Sequence, residues 1–196
     1  MKPSAILFDL DGVLIDSLDA WWYSLNGALN LFNIESIERD EFVEKYWGHD
    51  LYDNLERAKL PREIGIICSN LYTKHIDKIK LYPDVKETLE KLENYKKAIV
   101  TNTPRDCTRE ILKEFDIARY FDTIVAGGDV SRGKPDPEII FKACNELNVD
   151  PRATLLVGDT ESDVKAGKAA GCTVIGVGIE ADVTIKKISE LLDILD

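Results

Sequence analysis

Short apolar runs recur along this sequence, at 5–8, 98–101, 123–126, 154–158 and 173–177. Runs of four or five residues are too short for helices and read as buried strands. From Pro83 onward, helical patterns stand between them, such as Val85, Leu89 and Leu92, then Ile111, Leu112 and Phe115. Another helix is expected from about Ser162 to Ala170, and a last one is marked by Ile185, Ile188, Leu191 and Leu192. Thr103-Pro104 offers an N-cap with proline at the first helical position, and Asp136-Pro137-Glu138 starts a helix by the same logic. Alternating strands and helices imply an α/β fold: a doubly wound parallel sheet in three layers, with right-handed crossovers.

One block breaks the alternation. In 17–81, Leu18, Trp21, Trp22, Leu25, Leu29 and Phe32 recur at helical spacing. Further helices are expected at about 38–47, at about 50–59, and after Pro61, where Ile64, Ile67, Cys68, Leu71 and Ile79 form an inner stripe. An all-helical block directly after the first strand reads as an insertion. The expected division is an α/β core, 1–16 and 82–196, carrying a helical cap, 17–81.

The 196 residues, 44% hydrophobic, suit one domain with such an insertion. The net charge of −11 argues against non-specific nucleic-acid binding. The chain has no long apolar run, so no membrane span is expected. The first apolar run breaks at Asp9, so no signal peptide is expected and the cytoplasm is the expected location. Cys68, Cys107, Cys144 and Cys172 are scattered and read as reduced, mostly buried thiols. With only two histidines, a histidine-rich zinc site is not expected.

The chemistry is concentrated at strand ends. The first strand runs into Asp9-Leu10-Asp11-Gly12. Side chains two apart on a strand share a face, so both carboxylates would project from the carboxyl end, where α/β sheets bind ligands. Their mutual repulsion calls for a shared proton or a hard cation such as magnesium. Thr101, Asn102 and Thr103 close the second strand; they either hold phosphate oxygens or simply cap the next helix. Lys134, between Gly133 and Pro135, is either aimed by its constrained backbone or solvated. Asp159 can complete a cation site with Asp9. Asp163, one helical turn on, either supports that site or pairs with Thr160 in a capping box.

These segments, in this order, resemble the haloacid dehalogenase superfamily, whose pattern is D-x-D-G-[VT]-x-x-D-S, a Ser/Thr, a Lys, then G-D-x-x-x-D. The matching residues are Asp9 to Ser17, Thr101, Lys134, and Gly158 to Asp163. The insertion resembles the helical cap of the phosphoglycolate phosphatase and β-phosphoglucomutase branch. The resemblance implies a magnesium-dependent phosphatase acting on a small phosphomonoester. Asp9 would be the nucleophile forming an aspartyl-phosphate, and Asp11 the general acid and base. Thr101, Asn102 and Lys134 would bind phosphate. Asp9, the Asp11 carbonyl and Asp159 would hold Mg2+, with Asp163 acting through water or from behind.

The presence of Asp11 argues against dehalogenation. In related sugar-phosphate mutases a histidine aligns with Trp21, which cannot shuttle a proton, so hydrolysis is favoured over mutase chemistry. A phospho-acceptor domain would lack the insertion and Asp11, and a scaffold on an inactive fold would have lost motif residues. Trp21, Gly48 and His49 are the expected specificity residues of the cap, although Trp21 and Trp22 also suit core packing. His75 reads as a partly buried packing residue. The substrate stays open among phosphoglycolate, a sugar phosphate, a nucleotide and pyrophosphate. The chain is expected to be a monomer or homodimer.

Overall fold

The computed structural model describes residues 2–195. The chain opens with β1 (Ala5–Phe8) and a two-residue strand, β2 (Ile15–Asp16). Four helices follow: α1 (Leu18–Leu31), α2 (Arg39–Lys45), α3 (Leu51–Arg57) and α4 (Glu63–Lys74). The chain returns through β3 (Lys80–Leu81), α5 (Val85–Lys91), β4 (Lys96–Pro104) and α6 (Arg105–Glu114). It then forms β5 (Thr123–Gly127), α7 (Glu138–Leu147), β6 (Thr154–Gly158) and α8 (Glu161–Ala170). It closes with β7 (Thr173–Val177), β8 (Val183–Ile185) and α9 (Leu191–Leu195).

Six strands form one parallel sheet in the order β5-β4-β1-β6-β7-β8. β1 is its centre, and all four of its residues are fully buried. Alternation along β1 feeds two cores. Ile6 and Phe8 join Ile99, Val157, Leu89, Ile111 and Leu191 on one face. Ala5 and Leu7 join Ala98, Val100, Leu156, Ile139 and Ala143 on the other. Each large side chain buried this way contributes about 1.5–3 kcal/mol. The expected doubly wound α/β sheet is therefore present.

The helices α1–α4 build a third core from Leu25, Leu29, Phe42, Leu55, Ile64 and Cys68. β2 and β3 pair antiparallel, Ile15 with Leu81 and Asp16 with Lys80, so the chain leaves and re-enters the core side by side. That ribbon is too short to register as a sequence pattern. All four cysteines are buried and unpaired. Among the described residues, no helix is long and apolar enough to cross a membrane.

Two expectations need correction. The final apolar residues do not lie on one helix. Ile185 ends β8, the edge strand, Ile188 opens a single 3-10 turn, and only then does α9 begin. Val183-Thr184-Ile185 has the β-branched character of a strand, and a strand end followed by a tight turn mimics a spacing of three. Thr103 also does not cap α6. β4 runs on to Pro104, which occupies the cap position, and the Thr103 hydroxyl is used elsewhere.

Candidate active site

Phe8 is in register with both Ile99 and Val157, so the carboxyl ends of β1, β4 and β6 stand together. Residues at those ends meet in one crevice, as the sheet topology requires. Asp9 and Asp11 enter from β1, Thr101 to Thr103 from the end of β4, and Asp159 from β6, with Lys134 arriving from the loop before α7.

Lys134 is only 2% exposed, so it is no solvated loop lysine. Its ammonium lies 2.8 Å from Asp9 Oδ1 and 2.7 Å from Asp163 Oδ1. Burial works against its charge, but Asp163 and Asp9 outweigh that and hold its pKa above the ordinary value. Asn102 clamps the backbone of this lysine: its amide donates to the Lys134 carbonyl at 2.9 Å and accepts from the Lys134 N–H at 2.8 Å. The Asn102 side chain is thus spent on Lys134, so any contact of this residue with phosphate would fall to its backbone N–H. The buried Asp163 closes the expected capping box and also faces Lys134. Its Oδ1 pairs with Lys134, and its Oδ2 accepts from the Thr160 N–H at 3.1 Å and hydroxyl at 2.6 Å.

Asp9 accepts from the Leu10 N–H at 2.8 Å. Burial pushes its carboxyl up to about 7, with Lys134 opposing and Asp163 and Asp11 reinforcing. Asp159 is pushed to about 8, by burial and then by Asp9 and Asp163. Its Oδ1 is buried and has no hydrogen-bond partner. Asp9, Asp159 and Asp163 each bring an oxygen within 4.8 Å of the others. Three carboxylates against one ammonium, with an orphaned oxygen among them, fit an oxygen-seeking cation. Gly12 lets Asp159 approach: its φ is +77°, and a Cβ there would lie 2.0 Å from Asp159 Oδ2.

Asp11 has the opposite surroundings. Its Oδ1 accepts from Ser17 Oγ at 2.5 Å, Trp21 Nε1 at 3.2 Å and Tyr72 Oη at 3.2 Å. Its Oδ2 accepts from Thr103 Oγ1 at 2.6 Å and, at 3.5 Å, from Thr101 Oγ1. Tyr72 is fully buried and stacks on Trp21, with centroids 3.9 Å apart and ring planes at 17°. The sequence does not single out Ser17 or Tyr72 for a side-chain role, and it offers Thr103 for phosphate or for the helix cap rather than for Asp11. Tyr72 was legible, since it extends the Ile64–Cys68 spacing by one more turn.

The insert roofs the crevice, leaving about 700 Å³ of space that is partly open to solvent. Trp21 lines this cavity, whereas Trp22 is turned away and donates to the Ile37 carbonyl at 2.8 Å. Gly48 and His49 line it too. Gly48 has φ +76°, and a Cβ there would lie 2.6 Å from Thr160 Cγ2, so this loop seats directly on the core. His49 Nδ1 lies 3.5 Å from Ser162 Oγ. His75 sits apart from the cavity, 3.0 Å from Ser24 Oγ, as the packing reading expects.

The family model for haloacid dehalogenase-like hydrolases matches residues 6–177. The chain belongs to that family. It is similar to pyrophosphatase PpaX of Bacillus velezensis, 34% identical over 98% of this chain and 96% of the relative. It is also similar to a phosphoglycolate phosphatase of Haemophilus influenzae, 33% identical over 87% of this chain and 83% of the relative. CbbY from Rhodobacter sphaeroides, solved in complex with phosphate, shares the fold with a TM-score of 0.86 and 23% identity, over 96% of each chain.

Proposed function

We propose that this phosphatase of the haloacid dehalogenase-like family hydrolyses a small phosphomonoester with magnesium, through an aspartyl-phosphate on Asp9. The observation that carries the reading is the contrast between two carboxylates two residues apart. Asp9 sits among buried anions with Lys134 as their cation, and Asp11 sits among neutral donors.

Asp9, Asp159 and the carbonyl of Asp11 would hold the magnesium ion, with Asp163 behind them. When bound, the ion neutralises the carboxylates and the phosphoryl oxygens. Asp9 Oδ1 is fixed by Lys134 and Leu10, leaving Oδ2 to attack phosphorus. The ester P–O bond breaks as the Asp9–phosphorus bond forms, and Asp11 gives its proton to the departing alcohol. In the second step Asp11 takes a proton from water, the water oxygen bonds phosphorus, and Asp9 is released with inorganic phosphate. The hydroxyls around Asp11 can donate to the carboxylate and turn to accept from the acid, so both protonation states are accommodated. Lys134 and Thr101 steady the phosphoryl oxygens. Residues 17–81 act as a cap over 1–16 and 82–196, excluding water during the reaction. Trp21 donates an indole N–H to Asp11 and has no acceptor, which suits holding that carboxylate and favours hydrolysis over phosphoryl shuttling.

The test is phosphate release from a panel of monoesters and pyrophosphate, with magnesium or with chelator. Release should require magnesium, and Asp9→Asn should lower it about 10⁴-fold while circular dichroism shows the fold retained. Near-normal turnover in Asp9→Asn would remove Asp9 as nucleophile.

A further inference from the structure

The cavity roof is aromatic and apolar, and it offers no free cation. Trp21, Phe42, Tyr46, Trp47, Leu51 and Leu55 make up most of it. Among the described residues lining the cavity, Lys134 is the only lysine or arginine, and Asp9 and Asp163 already occupy it. His49 is the remaining basic side chain. Burial, with Arg57 and Lys165 nearby, holds its pKa below the ordinary 6.5, so it is neutral at neutral pH.

The two cations nearest His49, Arg57 and Lys165, stand outside the lining. Arg57 donates to the Lys45 carbonyl and to Asn54 Oδ1, and Lys165 pairs with Glu161. Asn54 lines the cavity, but its amide is used within the insert, donating to the Tyr46 carbonyl at 2.8 Å. An anion under this roof would lose hydration and find no cationic side chain in the lining besides Lys134 to pair with directly. Beyond the Tyr46 hydroxyl, the Trp47 indole N–H, His49 and Thr160, a polyhydroxyl group would meet mostly apolar side chains under this roof. A ring or apolar body would gain burial and face-to-edge contacts with the four aromatic side chains.

We infer that the alcohol leaving Asp9's phosphoryl group is uncharged and carries an aromatic or extended apolar body. The inference rests on the phosphatase reading above and narrows it. It separates this chain from leaving groups that bear a second carboxylate or phosphate.

Benzyl phosphate and 2-phosphoglycolate are both esters of primary alcohols, and they differ in carrying a phenyl ring or a carboxylate. Steady-state kinetics on the full chain with magnesium would compare them with pyrophosphate and glucose 6-phosphate, using Asp9→Asn as blank. Benzyl phosphate should exceed each of the others in kcat/KM by about tenfold or more, mainly through a lower KM. A value for any of the three that equals or passes benzyl phosphate would overturn the inference. The hydrolase reading would survive that result, because release would still depend on Asp9 and magnesium. Absence of Asp9-dependent release from all four compounds would instead remove the reading beneath it. Leu51→Arg places a cation on the half-buried start of α3. It should move the ratio of the two esters toward 2-phosphoglycolate by about tenfold, and an unchanged ratio in the folded variant would count against the inference.

Discussion

The floor and the roof of the cavity come from different parts of the chain and are held by different forces. The floor gathers Asp9 and Asp159 from two strand ends, Asp163 from the first turn of α8 and Lys134 from a loop, and charge dominates it. The roof comes from the helical insert, and ring packing dominates it. In the floor, burial is unfavourable until cations compensate for it. In the roof, burial is the favourable term. Asp11 joins the two, since Trp21 and Tyr72 reach it from the insert and Thr103 reaches it from the sheet. Asp11 is thus tied to the position of the insert, while Asp9, two residues away, is held by Lys134 and the Leu10 N–H.

The comparison breaks most directly at Lys134. Lys134→Met leaves Asp9 and Asp163 buried without their cation, so it should destabilise the metal-free protein by about 3–5 kcal/mol and abolish most turnover. Denaturant melts with and without magnesium would measure this, and a wild-type midpoint in chelator would show that the lysine is not needed to hold the floor. The next effect needs no mutation. Asp9 and Asp159 are raised from 3.8 to about 7 and about 8, so the folded metal-free state holds protons that the unfolded chain releases. The stability these groups contribute is complete below the unfolded value and is lost as pH rises through about 7 to 8. Thermal melts in chelator should fall as pH rises from 3.8 to about 8 and level off above it, and magnesium should restore them; a flat profile in chelator would contradict the crowded-anion floor. The smallest effect belongs to the joint. Tyr72→Phe keeps the stack on Trp21 and removes one of several donors to Asp11. It should lower kcat about three- to tenfold and stability by about 1 kcal/mol, with KM nearly unchanged. A shift confined to KM would place Tyr72 with the roof instead.

The floor was legible in the sequence because its residues follow strands directly, and a strand end fixes where the next side chain points. Asp9, Asp11 and Asp159 needed only the apolar runs before them. The surroundings of Asp11 were not legible, because its partners lie 6, 10, 61 and 92 residues away and meet only after the insert docks. Thr103 shows the difficulty: Thr-Pro is a sound local cap, and the half-buried Asp11 carboxylate outcompeted the helix for its hydroxyl. The clamp of Asn102 on Lys134 is not legible either, because no local pattern shows that an amide will turn to a backbone 32 residues away. The edge strand β8 was hidden by a spacing of three that a strand and a tight turn together reproduce.

The pairing of Ile15 with Leu81 and Asp16 with Lys80 brings the two crossings between sheet and insert to one place. The sheet therefore meets the insert as if at a single splice. A different helical module with the same closely spaced ends could be grafted there without re-registering β1 against β4 and β6. Such an exchange would leave Asp9, Asp163 and Lys134 paired within the sheet domain but would remove the Trp21 and Tyr72 donors to Asp11, so an incoming module must bring its own hold on that carboxylate.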